Sequence, residues 1–330
     1  MAVRIVTDSA CDLPSEMEDE LREWGVHTIP FIFHFGLEAC QDKTMSMESF
    51  FTRALRTWPT TAAPAVGAYA EAYEKIVSQG DQALCITITG RHSGTYNAAM
   101  VAAQEYDEDQ VTVIDSRSLS MGEGFLALAA VRAARAGATL REVAQLMRDM
   151  IARIRFFIGL DTLDYVVRGG RASRAVGLVA SLLQLRPILT VVDGELTLSD
   201  KPRSRKRCKE RLLQLATDRL PLEALGVMHA AAAQEAAELA DRLAVLTGWA
   251  RPAIPVVEVG MALATHAGPA ALGIVAVTQP QAEENERRRT ILGREMPRIE
   301  LPHIELPHIE LPHIDLPRFG RDDRDEHEDR

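Results

Sequence analysis

The stretch QALCITITGRHSGTYNAAMVAAQE, residues 82–105, passes from an apolar run through a polar, glycine-bearing turn into an alanine-rich segment of helical period. Residues 82–87 predict a buried strand, and 94–105 predict the helix that follows it. The same alternation extends in both directions from this unit. Strands are expected over 3–7, 26–33 and 111–115, and helices over 15–24, 47–55, 66–77, 121–136 and 140–153. Short β-branched runs separated by helices make the pattern of a parallel sheet wrapped by crossover helices, which gives a first α/β lobe over residues 1–153.

Beyond that point the pattern changes. Residues 187–192 and 195–199 flank Asp193-Gly194, the dipeptide of a two-residue hairpin turn. With helices expected over 204–220 and 235–246 and strands over 225–230, 256–259 and 272–278, residues 154–280 form a smaller α+β lobe with an antiparallel sheet. From Gln281 the chain becomes repetitive, and Leu301-Pro302-His303-Ile304-Glu305 recurs almost unchanged twice more. A proline every five residues excludes helix and central strand, so the 281–330 tail, with 9 basic and 14 acidic residues, is expected to be extended or disordered, with an unknown partner. His303, His308 and His313 do not converge on a metal at that spacing.

Composition fits a folded protein with a sizeable core: of 330 residues, 47% are apolar and 25% charged. A net charge of −10 sets the mean field against nucleic acid and anionic membrane surfaces. Residues 201–211 carry seven basic residues against one acidic but no interleaved aromatics, as in a solvated helix face or a dock for an acidic or phosphate-bearing partner, not nucleic acid. Cys11, Cys40, Cys85 and Cys208 are scattered and read as reduced thiols. Neither metal nor cofactor is expected. No signal peptide opens the chain, and the apolar windows 175–185 and 260–277 are too short or interrupted to span a membrane, so a cytoplasmic location is expected.

Four loops have the character of functional loops at the carboxyl ends of strands. Residues 7–14 leave the first strand with capping side chains, and Ser15 reads as an N-cap with Glu18 as its capping-box partner. Residues 59–64 hold Thr60 and Thr61 between two prolines, a setting for a carboxylate or phosphate oxygen. In residues 89–96, Ser93 stands where helix N-terminal amides meet an anion and reads as an anion ligand, a nucleophile or a plain cap. A G-x-S-x-G elbow would need glycine where Arg91 stands. In residues 265–273, His266 lies in a turn-rich segment before an apolar strand. Gly169-Gly170-Arg171 stops a helix and leaves an arginine beyond it.

Taken in order, Thr7-Asp8-Ser9 with Asp12-Leu13-Pro14, Ser93-Gly94-Thr95-Tyr96, Ile114-Asp115-Ser116, Ser120-Met121-Gly122, Leu160-Asp161-Thr162-Leu163, Gly169-Gly170-Arg171 and His266-Ala267-Gly268-Pro269 resemble the DegV family. These are bacterial fatty-acid-binding proteins that include the B subunit of fatty acid kinase. The resemblance covers residues 3–278 and implies a two-lobe α/β fold that buries one long-chain fatty acid in an apolar tunnel. Thr61, Ser93 and His266 match its carboxylate-binding positions, with Thr60, His92 and Gly94 beside them. It further implies a partner, an ATP-dependent kinase subunit that converts the bound acid to an acyl phosphate, and Arg171 and Arg203 match the kinase-facing arginines. On this reading the chain is a carrier with no catalytic residue of its own. Two departures stand out: Thr61-Ala62-Ala63-Pro64 replaces Thr-Ser-Gln-Pro, and His92 replaces an apolar residue. The alternatives are a serine-dependent acyl hydrolase using Ser93 and His266, for which no acid partner is identifiable, and an adaptor that docks through its tail and basic run.

Overall fold

The computed structural model describes residues 1–171, 185–218 and 220–280. The expectations for the tail and for most of the 175–185 window lie outside these residues. The chain opens with β1 (Val3–Asp8), α1 (Ser15–Glu23) and β2 (His27–Ile29). Pro14, not Ser15, caps α1: its carbonyl accepts from the Met17 and Glu18 amides at 3.0 and 2.9 Å, and no side chain joins the cap. The proline ring presets the entry angle, Ser15 becomes the first helical residue, and Glu18 turns to Lys43 at 2.9 Å.

The single strand expected over 26–33 is two, because Pro30 ends β2 before β3 (Ile32–Phe35) begins. After β4 (Glu38–Gln41) and α2 (Met47–Ala54), β5 (Pro59–Ala62) pairs with β3 to complete a three-stranded antiparallel sheet in the order β4-β3-β5. The paired prolines of 59–64 predict a loop. Pro59 instead starts an edge strand, where its missing N–H costs little. There follow α3 (Val66–Val77), β6 (Gln82–Thr87), α4 (Thr95–Ala103), β7 (Val111–Asp115), α5 (Met121–Arg135) and α6 (Leu140–Ile151). The expected parallel sheet is present, ordered β2-β1-β6-β7.

The second half supplies β8 (Ile154–Gly159), α7 (Asp164–Arg168), β9 (Ile188–Val192), β10 (Glu195–Asp200) and α8 (Arg205–Thr217), then β11 (Leu222–His229), α9 (Ala233–Thr247), β12 (Val256–Glu258), α10 (Met261–Ala267) and β13 (Leu272–Thr278). Six strands form a separate sheet, β10-β9-β8-β13-β11-β12, antiparallel except for the β11–β12 pair. Val192 pairs with Glu195 across the Asp193-Gly194 turn, whose φ angles of 50° and 81° are those of a two-residue hairpin. One face of this sheet, with Phe157, Val227 and Ile274, packs with Leu212 of α8 and Leu239 of α9. The opposite face, with Phe156, Leu189 and Met228, joins the core of the first half. Between the two sheets runs α5, apolar on nearly all sides and buried for most of its length. The two lobes therefore share one core.

Candidate functional site

A cavity lies where the shared core opens between the carboxyl ends of the parallel strands and the inner face of the six-stranded sheet. Phe156 and Ile158 alternate along β8 and so face it together, joined by Leu189, Met228, Val259 and Leu263. The cavity is tight: its free volume is about 90 Å³, within about 920 Å³ of space between atoms when the open mouth is included. The cavity is thus a narrow slot, suited to an unbranched chain.

Thr61, His92, Ser93, Arg171 and His266 bring polar atoms to this apolar wall. Thr61 Oγ1 and His266 Nε2 are 2.9 Å apart. His266 Nδ1 is buried without a hydrogen-bond partner, pressed against Gly169, where a Cβ would come within 2.1 Å of it. Burial, reinforced by Arg171 and His92, pulls the His266 pKa down to about 3, so the ring is neutral. With nothing among the described residues to accept from Nδ1, the tautomer that leaves no N–H stranded carries its proton on Nε2 and donates to Thr61 Oγ1. The Thr61 hydroxyl proton is then free for a ligand.

Ser93 Oγ lies 2.6 Å from Thr95 Oγ1 and accepts weakly from the Thr95 amide at 3.4 Å. Two hydroxyls sharing one contact leave one proton to give away. A Cβ placed on Gly94, the α4 N-cap, would touch Ala63 at 3.6 Å, so the 59–64 and 89–96 loops meet here. Arg171 donates through Nε to the His92 carbonyl at 3.2 Å and through Nη1 to the Gly169 carbonyl at 2.8 Å. These bonds hold its guanidinium in the cavity wall, where burial lowers its pKa.

The structure thus brings Thr61, Ser93, His92 and His266 together, and Arg171 with them. It does not include Thr60, because successive residues of β5 face opposite ways and Thr60 is exposed. His92 is less available than expected: its Nε2 accepts from the Leu196 amide of β10 at 2.7 Å, and burial lowers its pKa despite the opposing charge of Glu195. Arg203 is exposed just ahead of Ser204, the α8 N-cap. In the basic run behind it, Arg205 and Lys209 pair with Glu235, and Arg211 pairs with Asp200. The hydrolase alternative finds no support in this geometry, since Ser93 bonds Thr95, His266 bonds Thr61, and no carboxylate among the described residues reaches Nδ1.

Of the 7–14 loop, Ala10 reaches the cavity, while its polar side chains bond within the protein. Asp8 accepts from the Ala10 and Ile88 amides at 3.0 and 2.9 Å, and Thr7 donates to Glu123 at 2.8 Å. Burial, offset in part by these bonds and raised by neighbouring carboxylates, lifts Asp8 to about 7 and Glu123 well above its ordinary value. The sequence reading missed the contribution of β8 to the wall, although the alternation Ile154, Phe156, Ile158 was its signal. It also missed α10, having read 265–273 as turns; His266 stands on the last turn of this helix.

The family model described as "Uncharacterised protein, DegV family" matches residues 2–279. A DegV domain-containing protein of Mycobacterium tuberculosis is 36% identical over 279 residues, 83% of this chain and 96% of the relative. Another, from Caldanaerobacter subterraneus, is 31% identical over 280 residues, 82% of this chain and 97% of the relative. Among solved structures, a fatty-acid-binding DegV family protein from Thermus thermophilus superposes with a TM-score of 0.77 at 26% identity, covering 84% of this chain and all of that one. DegV from Bacillus subtilis, described as a fatty acid binding protein, gives a TM-score of 0.73 at 28% identity with 84% and 100% coverage. A stearic-acid-binding protein from Eubacterium ventriosum gives 0.72 at 25% identity with 83% and 97% coverage.

Proposed function

The chain belongs to the DegV family, and we propose that it binds one long-chain fatty acid, with the acyl chain in the slot and the carboxylate at Thr61, Ser93 and His266. The observation that carries this reading is a narrow apolar cavity bearing hydroxyl donors with protons to spare. Each buried CH₂ contributes about 0.8 kcal/mol, and the carboxylate, costly to bury bare, exchanges water for the Thr61 and Ser93 hydroxyls. Arg171, the cation in the cavity wall, adds a favourable charge.

In this reading the protein is a cytoplasmic carrier that presents the carboxylate to an ATP-dependent kinase subunit for acyl phosphate formation. Arg171 is available at the site, and Arg203 stands with the exposed Lys206 and Arg207 as a basic edge for an acidic partner surface. Native mass spectrometry of the purified chain, followed by extraction, should find one fatty acid per chain. A chain carrying a polar molecule instead would refute the reading. Ser93→Ala should weaken hexadecanoate binding about tenfold without lowering Tm, and unchanged affinity would remove Ser93 from the site. Arg203→Ala should spare lipid binding but slow acyl phosphate formation with a fatty acid kinase subunit; equal rates would remove the docking role.

A further inference from the structure

We propose that Asp42, with Asp12 beside it, is a positioning residue for the carboxylate site, locking the sheet that carries Thr61 onto the helix that carries His266. The inference rests on the fatty-acid reading and assigns a role to side chains that reach no ligand themselves.

Thr61 lies on β5, and Asp42 directly follows β4 in the same three-stranded sheet, its amide donating to the Phe31 carbonyl at 2.9 Å. From there Asp42 Oδ1 crosses to the other half of the molecule and accepts from the Ala262 amide, in the first turn of α10, at 3.1 Å. Asp12 Oδ1 accepts from the preceding Gly260 amide at 3.0 Å. Seven residues make α10 barely two turns long, so fixing its first turn fixes its last. His266 projects from that last turn on the same face as Ala262 and Leu263, which also line the cavity.

The remaining oxygens of the two carboxylates are tied as firmly. Asp42 Oδ2 accepts from Ser9 Oγ at 2.8 Å, and Ser9 Oγ accepts in turn from the Phe31 amide at 3.0 Å. Asp12 Oδ2 accepts from Ser120 Oγ at 2.6 Å, and Lys43 Nζ lies 3.3 Å from Oδ1. Ser120 makes its bond from a backbone conformation unfavourable for serine, φ 51° and ψ −129°. The approach of Asp42 to α10 is so close that a Cβ on Gly260 would come within 2.7 Å of Oδ2. One carboxylate thus spans the two elements whose separation sets the 2.9 Å Thr61–His266 contact.

The test compares binding of hexadecanoate with binding of its methyl ester, which keeps the chain and loses the charge, using the delipidated full chain. Wild type should favour the acid. Asp42→Ala should lose about tenfold in acid affinity and little for the ester. Asp42→Asn retains a carbonyl acceptor for the Ala262 amide and should recover most of the loss. Gly260→Ala, which crowds Asp42 without removing it, should reproduce the loss should Asp42→Ala fail to fold. The His266 ring nitrogen resonances of the unliganded protein should move in Asp42→Ala and Gly260→Ala but not in Asp42→Asn. Variants that retain the preference for acid and unmoved His266 resonances would overturn the positioning role. Equal binding of acid and ester by wild type would instead defeat the carboxylate reading on which it rests.

Discussion

Two buried polar clusters in this molecule are made of similar atoms and close their hydrogen bonds differently. Asp8, Asp12 and Asp42 accept at both carboxylate oxygens from amides or hydroxyls of the protein itself, and of the neighbouring Glu123 only Oε2 goes without a partner among the described residues. At the cavity, Thr61 pairs with His266 and Ser93 with Thr95, each pair keeping a hydroxyl proton in reserve. A closed network fixes the fold, whereas one with donors left over facing an apolar slot is built for a guest. Both arise from loops that look equally polar in sequence, so the accounting of donors separates them where residue type does not.

The contrast is most severely tested by Asp12→Ala, which should destabilise the chain by about 3 kcal/mol in denaturant unfolding, because it strands the buried Gly260 amide and Ser120 hydroxyl. A loss below about 1 kcal/mol would mean that the closed network is not what holds the halves together. Ala230→Leu, filling the slot wall, should cut hexadecanoate affinity about a hundredfold with a smaller stability cost. Full binding in that variant would place the acyl chain elsewhere. Thr61→Val should cost about tenfold in hexadecanoate affinity and leave the unfolding midpoint nearly unchanged, the reverse of the Asp12 outcome.

The smallest expected effect is in pH dependence, where the clusters oppose each other. Asp8 and Asp12, raised to about 7 and about 6 chiefly by burial, hold protons in the native state that the unfolded chain has already released. Their contribution is full below the ordinary carboxylate range near 3.8 and is lost as pH rises towards 7. His266, lowered to about 3, works the other way: its contribution is present above 6.5 and is lost as pH falls towards 3. With two carboxylates acting against one imidazole, unfolding midpoints should fall modestly as pH rises across this window. Asp8→Asn should flatten that fall and His266→Gln should steepen it; identical profiles would assign the titration to other groups.

Much of the architecture was legible in the sequence because helical period, β-branched runs and the Asp193-Gly194 turn are local signals. The errors came where a proline carried more than one meaning. Pro30 divided a strand, Pro59 began one, and Pro14 took the cap expected of Ser15. The cavity residues Thr61, Ser93 and His266 were legible through ordered motifs, yet nothing local shows that Thr60 faces away or that His92 is engaged by β10. Asp42 stood in no motif, and its partner Ala262 lies 220 residues away. Contacts at that separation have no periodicity to read.

The slot is bounded by the residues through which the two halves pack, Phe156, Leu189 and Met228 among them. Whatever occupies it completes the interior, so the guest is a detachable piece of the protein's own folding energy. At a ligand concentration a hundred times Kd the loaded chain gains about 2.7 kcal/mol over the empty one. On the fatty-acid reading, empty copies would open more often than loaded ones and meet proteases sooner.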